Sequence, residues 1–256
     1  MTLQYQDIAA GPLQDTMNHA MAQMREQRIV ARILDRDHTV WKQQPDEIAN
    51  RLGWLDSPAV MAEEVQEIDT FVGQVRSAGF THALLLGMGG SSLAPEVFRQ
   101  VFGVADGFLN VRVLDSTDPA AISKSFGASD PASTLYVPAT KSGGTVETLS
   151  LLKYAYRQAI AALGPTAGDH FVAITDPGSG LAELATRLDF GHIFLNDPDI
   201  GGRYSALSMF GLVPAALCGI DIRALLQSAR QAVDELTSLD VDAPSVLLGT
   251  LLGCGA

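Results

Sequence analysis

The chain has 256 residues, 47% of them hydrophobic and 18% charged, with a formal net charge of -12. That length supports a core large enough to need no disulfide or metal staple, while the acidic balance argues against general binding to nucleic acid or to anionic membranes. The two cysteines, Cys218 and Cys254, sit in apolar surroundings without metal-ligand spacing, which points to a reducing, cytoplasmic setting rather than a secreted disulfide framework. Met1 leads into a polar, acid-containing stretch and no apolar run reaches spanning length, so neither a signal peptide nor a membrane span is expected.

The first eighty or so residues place apolar side chains at helical spacing, as in Met17, Ala20, Met21 and Met24 and again in Met61, Val65, Ile68 and Val72. Buried packing accounts for the Met stripe better than an adaptable binding face does. Between these helices, Pro45 and Asp46 read as a helix start and Leu52, Trp54 and Leu55 as packing residues.

From His82 short apolar runs alternate with helical patterns: ALLLG, VRVLDS, TLYVPA, HFVAIT and HIFL, separated by helix-length stretches at 93–102, 146–163 and 180–188. Repetition of strand, crossover helix and strand predicts an α/β fold, a doubly wound parallel sheet of about five strands, preceded by a helical N-terminal segment. The expected division is a helical segment 1–78, a sheet domain 79–220 and a helical C-terminal segment 221–256. The apolar run VLLGTLLGCGA stops without a polar cap, which is read as a sign of further sequence downstream and of a covering partner.

Two glycine-rich loops each follow a strand-like run and open a helix-like one: GMGGSS at 87–92 and TKSGGT at 140–145. Helix N-termini present unpartnered N-H groups and the positive end of the helix dipole, so phosphate settles there readily. A pair of such loops at the carboxyl edge of one parallel sheet suggests a single phosphate gripped from two sides. In the first loop Gly89 and Gly90 permit close backbone approach, and Ser91 adds a hydroxyl; the ordinary alternative is a tight turn with a serine cap. In the second, Thr140, Lys141, Ser142 and Thr145 offer three hydroxyls and an ammonium, against a reading as simple capping with Glu147 just inside the helix. A third motif, DIGGRYSALS, presents Arg203 beside Gly202; the competing reading pairs Arg203 with Asp197 or Asp199. The first loop also approximates GxGxxG, with Asp115 where a ribose-binding acid belongs, but Ser92 replaces the third glycine and a dinucleotide leaves the second loop without a task. GxxxxGK[ST] is absent, which argues against a nucleoside triphosphatase.

Taken together, GMGGSSLAP, TKSGGTVET and GGRYS resemble glucose-6-phosphate isomerase and its sugar isomerase (SIS) domain. The likeness extends to the isomerase half of bacterial transaldolase and glucose-6-phosphate isomerase fusions, since WKQQPDEIANRLGWLD resembles the lead-in to that half. The resemblance runs from about Asp37 to the end. It implies phosphate binding by Gly90, Ser91, Thr140, Lys141, Ser142 and Thr145, stabilisation of the enediol charge by Arg203, and Gly89, Gly202 and Glu147 near the site. It implies no metal and no cofactor, a small sugar phosphate as partner, and a homodimer. Thr140 stands where serine is usual, Gly143 and Gly144 replace bulkier residues, which is expected to loosen the loop, and Ala94 replaces a glycine. The family's proton-transferring glutamate, its ring-opening histidine and lysine, and a second SIS domain fall in later sequence. The chain is therefore expected to bind sugar phosphate weakly and to turn it over poorly or not at all. A non-catalytic SIS module that senses a sugar phosphate keeps the same loops and is the main competing reading.

Overall fold

A computed structural model describes residues 9–128 and 130–256. Helices in chain order are α1 (Gln14–Glu26), α2 (Ile29–Leu34), α3 (Ser57–Ser77), α4 (Leu93–Phe102), α5 (Pro119–Phe126), α6 (Val146–Leu163), α7 (Gly180–Arg187), α8 (Met209–Leu217), α9 (Ile222–Leu239) and α10 (Pro244–Cys254). Strands are β1 (His82–Gly87), β2 (Asn110–Leu114), β3 (Thr134–Ala139), β4 (Val172–Thr175) and β5 (His192–Leu195). The chain divides into two compact units, one made of residues 50–226 and the other of residues up to 49 with 227–256.

The central strands β1, β3 and β4 of the larger unit are almost wholly buried, the edge strands β2 and β5 only in part, and all pair in parallel in the order β2-β1-β3-β4-β5. Near-continuous apolar runs such as Ala83 to Leu86 are what such a doubly covered sheet requires. Alternation sorts them: Leu85, Val111, Val137 and Ile174 face a layer containing α3, α4 and α8, whereas Leu84, Leu86, Leu114 and Tyr136 face α5, α6 and α7. The chain leaves β1 toward β2 on one side and later continues from β3 toward β4 on the other. β1 and β3 are therefore the neighbours where the winding reverses.

The expected strands HIFL and TLYVPA fall on β5 and β3 as read, and the stripe Met61, Val65, Ile68 and Val72 is buried beneath the sheet. Two local readings need correction. Pro45 and Asp46 do not start an α-helix: Ile48 and Ala49 both donate to the Pro45 carbonyl, and Glu47 takes a left-handed φ of 59°, which ends the turn at once. The sequence reading also omitted α5, a short helix capped by Asp118, whose carboxylate accepts from the Ala120 and Ala121 amides at 3.0 and 2.9 Å.

In the smaller unit α1, α2 and α10 gather around Met17, Val30 and Leu247. Asp37 there accepts from Arg32 Nε at 2.7 Å and from the Thr39 amide and hydroxyl at 2.9 and 2.5 Å. The Thr39 and Arg32 hydrogen bonds hold its carboxyl down to about 2. A carboxyl depressed on folding stabilises above the unfolded value and loses that contribution as pH falls toward about 2. In urea titrations at several pH values the parent is expected to lose stability between about pH 4 and about pH 2, and Asp37→Asn to flatten that loss; parallel pH profiles for the two proteins would contradict this. No helix among the described residues is long and apolar enough to cross a membrane.

Candidate functional site

Gly87 at the end of β1 pairs in register with Ala139 at the end of β3. Both glycine-rich loops thus leave from adjacent strands at the same height, one strand spacing of about 4.8 Å apart, at the crevice where open α/β sheets bind ligands. Of the four helices that directly follow β1 to β4, α5 and α7 are capped by their own Asp118 and Ser179 side chains. The two that follow β1 and β3, α4 and α6, have no side-chain cap.

In the first loop Ser92 occupies the N-cap position but donates its hydroxyl backward to the Gly89 carbonyl at 3.0 Å. The serine cap considered from sequence is not formed. Ser91 is largely buried, and the amides of Gly89 and Gly90 donate to no main-chain acceptor among the described residues.

In the second loop Thr145 is the N-cap residue of α6, yet its Oγ1 lies 2.9 Å from Thr140 Oγ1 instead of on the helix amides. Simple capping is again not what the hydroxyls do. Ser142 Oγ accepts from the Gly144 amide at 3.2 Å, and the Lys141, Ser142 and Thr145 amides lack main-chain acceptors among the described residues. Gly143 takes φ +68° and packs against the start of α7, whereas Gly144 meets nothing closer than the Ser142 hydroxyl. Glu147 is exposed on the first turn of α6.

Lys141, expected to face the dianion, directs its ammonium to the Asp176 carboxylate and to the Pro198 carbonyl at 2.6 Å. Burial raises the Asp176 carboxyl above its ordinary value, with the Lys141 hydrogen bond pulling the other way. Asp176 was missed in the sequence reading. The available signal was an acid placed directly after a buried strand that ends at the same sheet edge.

The third motif closes against the first. Ser205 Oγ lies 2.9 Å from both the Gly90 and the Gly202 carbonyl oxygens, and one hydroxyl proton serves the two. The lead-in segment holds this motif from the other side: Leu52 bridges Ile200, Gly53 N-H donates to Asp199 O at 2.9 Å, and Trp54 stacks on Tyr204 at 5.4 Å. Arg203 is exposed and, among the described residues, neither Asp197 nor Asp199 holds its guanidinium. The competing structural pairing for Arg203 is therefore not formed.

Chemically, the crevice offers amides from two helix-opening turns and a guanidinium on the adjoining turn that have no partners among the described residues, together with hydroxyls from Ser91, Thr140, Ser142 and Thr145. Such a set suits a compact anion. Among the described residues no group of three or more His, Cys, Asp or Glu side chains is arranged to hold a metal ion.

Fold and site together define a doubly wound α/β protein of the SIS type. The sequence profile of phosphoglucose isomerase matches residues 18–253, and the chain belongs to that family. A glucose-6-phosphate isomerase from a Synechococcus species is 35% identical over 208 residues, which cover 73% of this chain and 38% of that protein. The crystal structure of a hypothetical protein from Thermus thermophilus superposes with a TM-score of 0.77 at 29% identity, covering 93% of this chain and 55% of the other. That of a glucose-6-phosphate isomerase from Chlamydia trachomatis gives 0.70 at 21% identity, covering 93% and 49%, a likeness of fold. The chain spans about two fifths of the length of the curated relatives it matches, 38% for each of two cyanobacterial proteins.

Proposed function

We propose that this chain supplies the phosphate-binding SIS domain of a glucose-6-phosphate isomerase, and that the complete protein interconverts glucose 6-phosphate and fructose 6-phosphate without metal or redox cofactor. The observation that carries this reading is the meeting of two uncapped helix-opening turns at the reversal of the sheet, with unpaired amides in both. Gly90 and Ser91 would hold the phosphate from one turn, and Thr140, Ser142, Thr145 and the Lys141 amide from the other. Arg203, exposed on the neighbouring turn and held by no acid among the described residues, would stabilise the negative charge that develops on the enediolate.

Isomerisation also needs a base within hydrogen-bond reach of the carbon-bound proton. Glu147, exposed beside the phosphate turn, serves as a neighbour of the site, and the base is assigned to sequence outside this chain. The same reading makes the complete protein a cytoplasmic homodimer and allows a transaldolase segment to be fused upstream.

Calorimetric titration of the purified chain is expected to give weak fructose 6-phosphate binding and no signal with NAD, and an isomerase assay is expected to give no turnover above background. Robust turnover would place the base within residues 1–256 and overturn the assignment. Binding of NAD in preference to sugar phosphate would replace it with a dinucleotide site.

A further inference from the structure

The turn between β4 and α7 lies behind the second loop and meets it at four places. Thr175 Oγ1 donates to the Thr140 carbonyl at 2.7 Å, and Ser179 Oγ lies 2.7 Å from that same hydroxyl. The Asp176 amide donates to Lys141 O at 3.2 Å. The Asp176 carboxylate, its side chain 14% exposed, takes the Lys141 ammonium, which also reaches Pro198 O at the approach to the third motif. Gly143 packs on Ser179 to Leu181. One lysine thus joins the second loop to β4 and to the segment that leads into Arg203.

We propose that Asp176 is a positioning residue for the phosphate turn: by holding the Lys141 ammonium it fixes Thr140 to Thr145 in the shape that seats a sugar phosphate, and leaves the anion to amides, hydroxyls and Arg203. This deepens the sugar-phosphate reading above and rests on it. A free ammonium at Lys141 would attract any anion by charge alone. A tethered one leaves recognition to directional donors, which distinguish a seated sugar phosphate from a bare phosphate ion. Among the described residues Asp176 Oδ1 and Oδ1 of Asn196, the residue after β5, are buried with no partner within hydrogen-bond distance, although the Asn196 side chain stands close enough to favour the ionised Asp176 carboxyl. Releasing the lysine would leave a largely buried carboxylate without its counter-ion, which is costly.

The test is calorimetric titration of the full chain with fructose 6-phosphate and, separately, with inorganic phosphate at two ionic strengths. Asp176→Asn is expected to lower fructose 6-phosphate affinity about tenfold while inorganic phosphate binding persists and becomes more sensitive to salt, because the released ammonium turns to the anion. Lys141→Met keeps the stem and removes the charge; it should lower fructose 6-phosphate affinity by a similar factor and leave inorganic phosphate binding nearly intact. The double variant should lose no more than either single one, since both break the same tether.

A merely structural pair would lower thermal stability without changing the preference between the two anions. The proposal is overturned if that preference is unchanged in Asp176→Asn, or if Lys141→Met abolishes inorganic phosphate binding, which would make Lys141 a direct ligand. Should Asp176→Asn fail to fold, the Lys141→Met titration decides by the same two results. A parent chain that binds neither anion refutes the sugar-phosphate reading itself and this proposal with it, a result visible before any variant is made.

Discussion

Gly90→Ala is expected to weaken fructose 6-phosphate binding by about 100-fold while leaving the sheet folded, the scale on which a displacement near 1 Å disables a preorganised site. A Cβ at this position would fall on the Gly202 carbonyl group, 2.6 Å from its carbon. Both partners are backbone, so neither rotates away. The two turns must separate, and Ser205 Oγ can then no longer lie within hydrogen-bond distance of both carbonyl oxygens. Overpacking of this kind costs about 1–3 kcal/mol, which a core of this size survives. Circular dichroism should therefore remain native while calorimetry shows the affinity collapse. Retention of parental affinity would mean that contact between the first and third motifs does not shape the site.

The second large effect falls on Gly143→Ala. An alanine here must hold a φ of +68°, at a cost of about 1–2 kcal/mol for an L-residue. Its Cβ would also stand 2.6 and 2.8 Å from the backbone nitrogens of Leu181 and Gly180, adding roughly another 1–3 kcal/mol of overpacking. The strain is relieved by moving the loop off α7, which carries Thr140, Ser142 and Thr145 with it. Thermal unfolding should shift downward and fructose 6-phosphate affinity should fall at least as far as in Gly90→Ala. Gly144→Ala is the control, because the nearest atom its Cβ would meet is the Ser142 hydroxyl at 3.8 Å, an ordinary contact. Equal losses at 143 and 144 would show that composition rather than the close approach to α7 matters.

Much of this architecture is legible in the residues because parallel strands buried on both faces must be largely apolar, and the runs at 83–87 and 135–139 have that character. The order of strands is not written in any one run. It emerges only from pairing, and with it the fact that the loops after β1 and β3 are spatial neighbours. α5 escaped because eight residues rich in Ala and Ser carry little periodic signal, and its Asp118-Pro119 start was the stronger cue. Pro45 misled for the opposite reason: a good first-turn residue was present, but the left-handed Glu47 allowed only one turn. The partner of Lys141 was out of reach of motif reading, since Asp176 lies 35 residues away. What a loop's hydroxyls and ammonium face depends on neighbouring strand ends, which local spacing cannot encode.

Everything proposed for this chain depends on one phosphate being seated jointly by the turns after β1 and β3. Backbone amide shifts of isotopically labelled chain, followed by NMR as fructose 6-phosphate is added, test it most directly. The Gly89 and Gly90 amides and those of Lys141, Ser142 and Thr145 are expected to move together along one binding curve. Movement of one set without the other, or two curves with different midpoints, would contradict it.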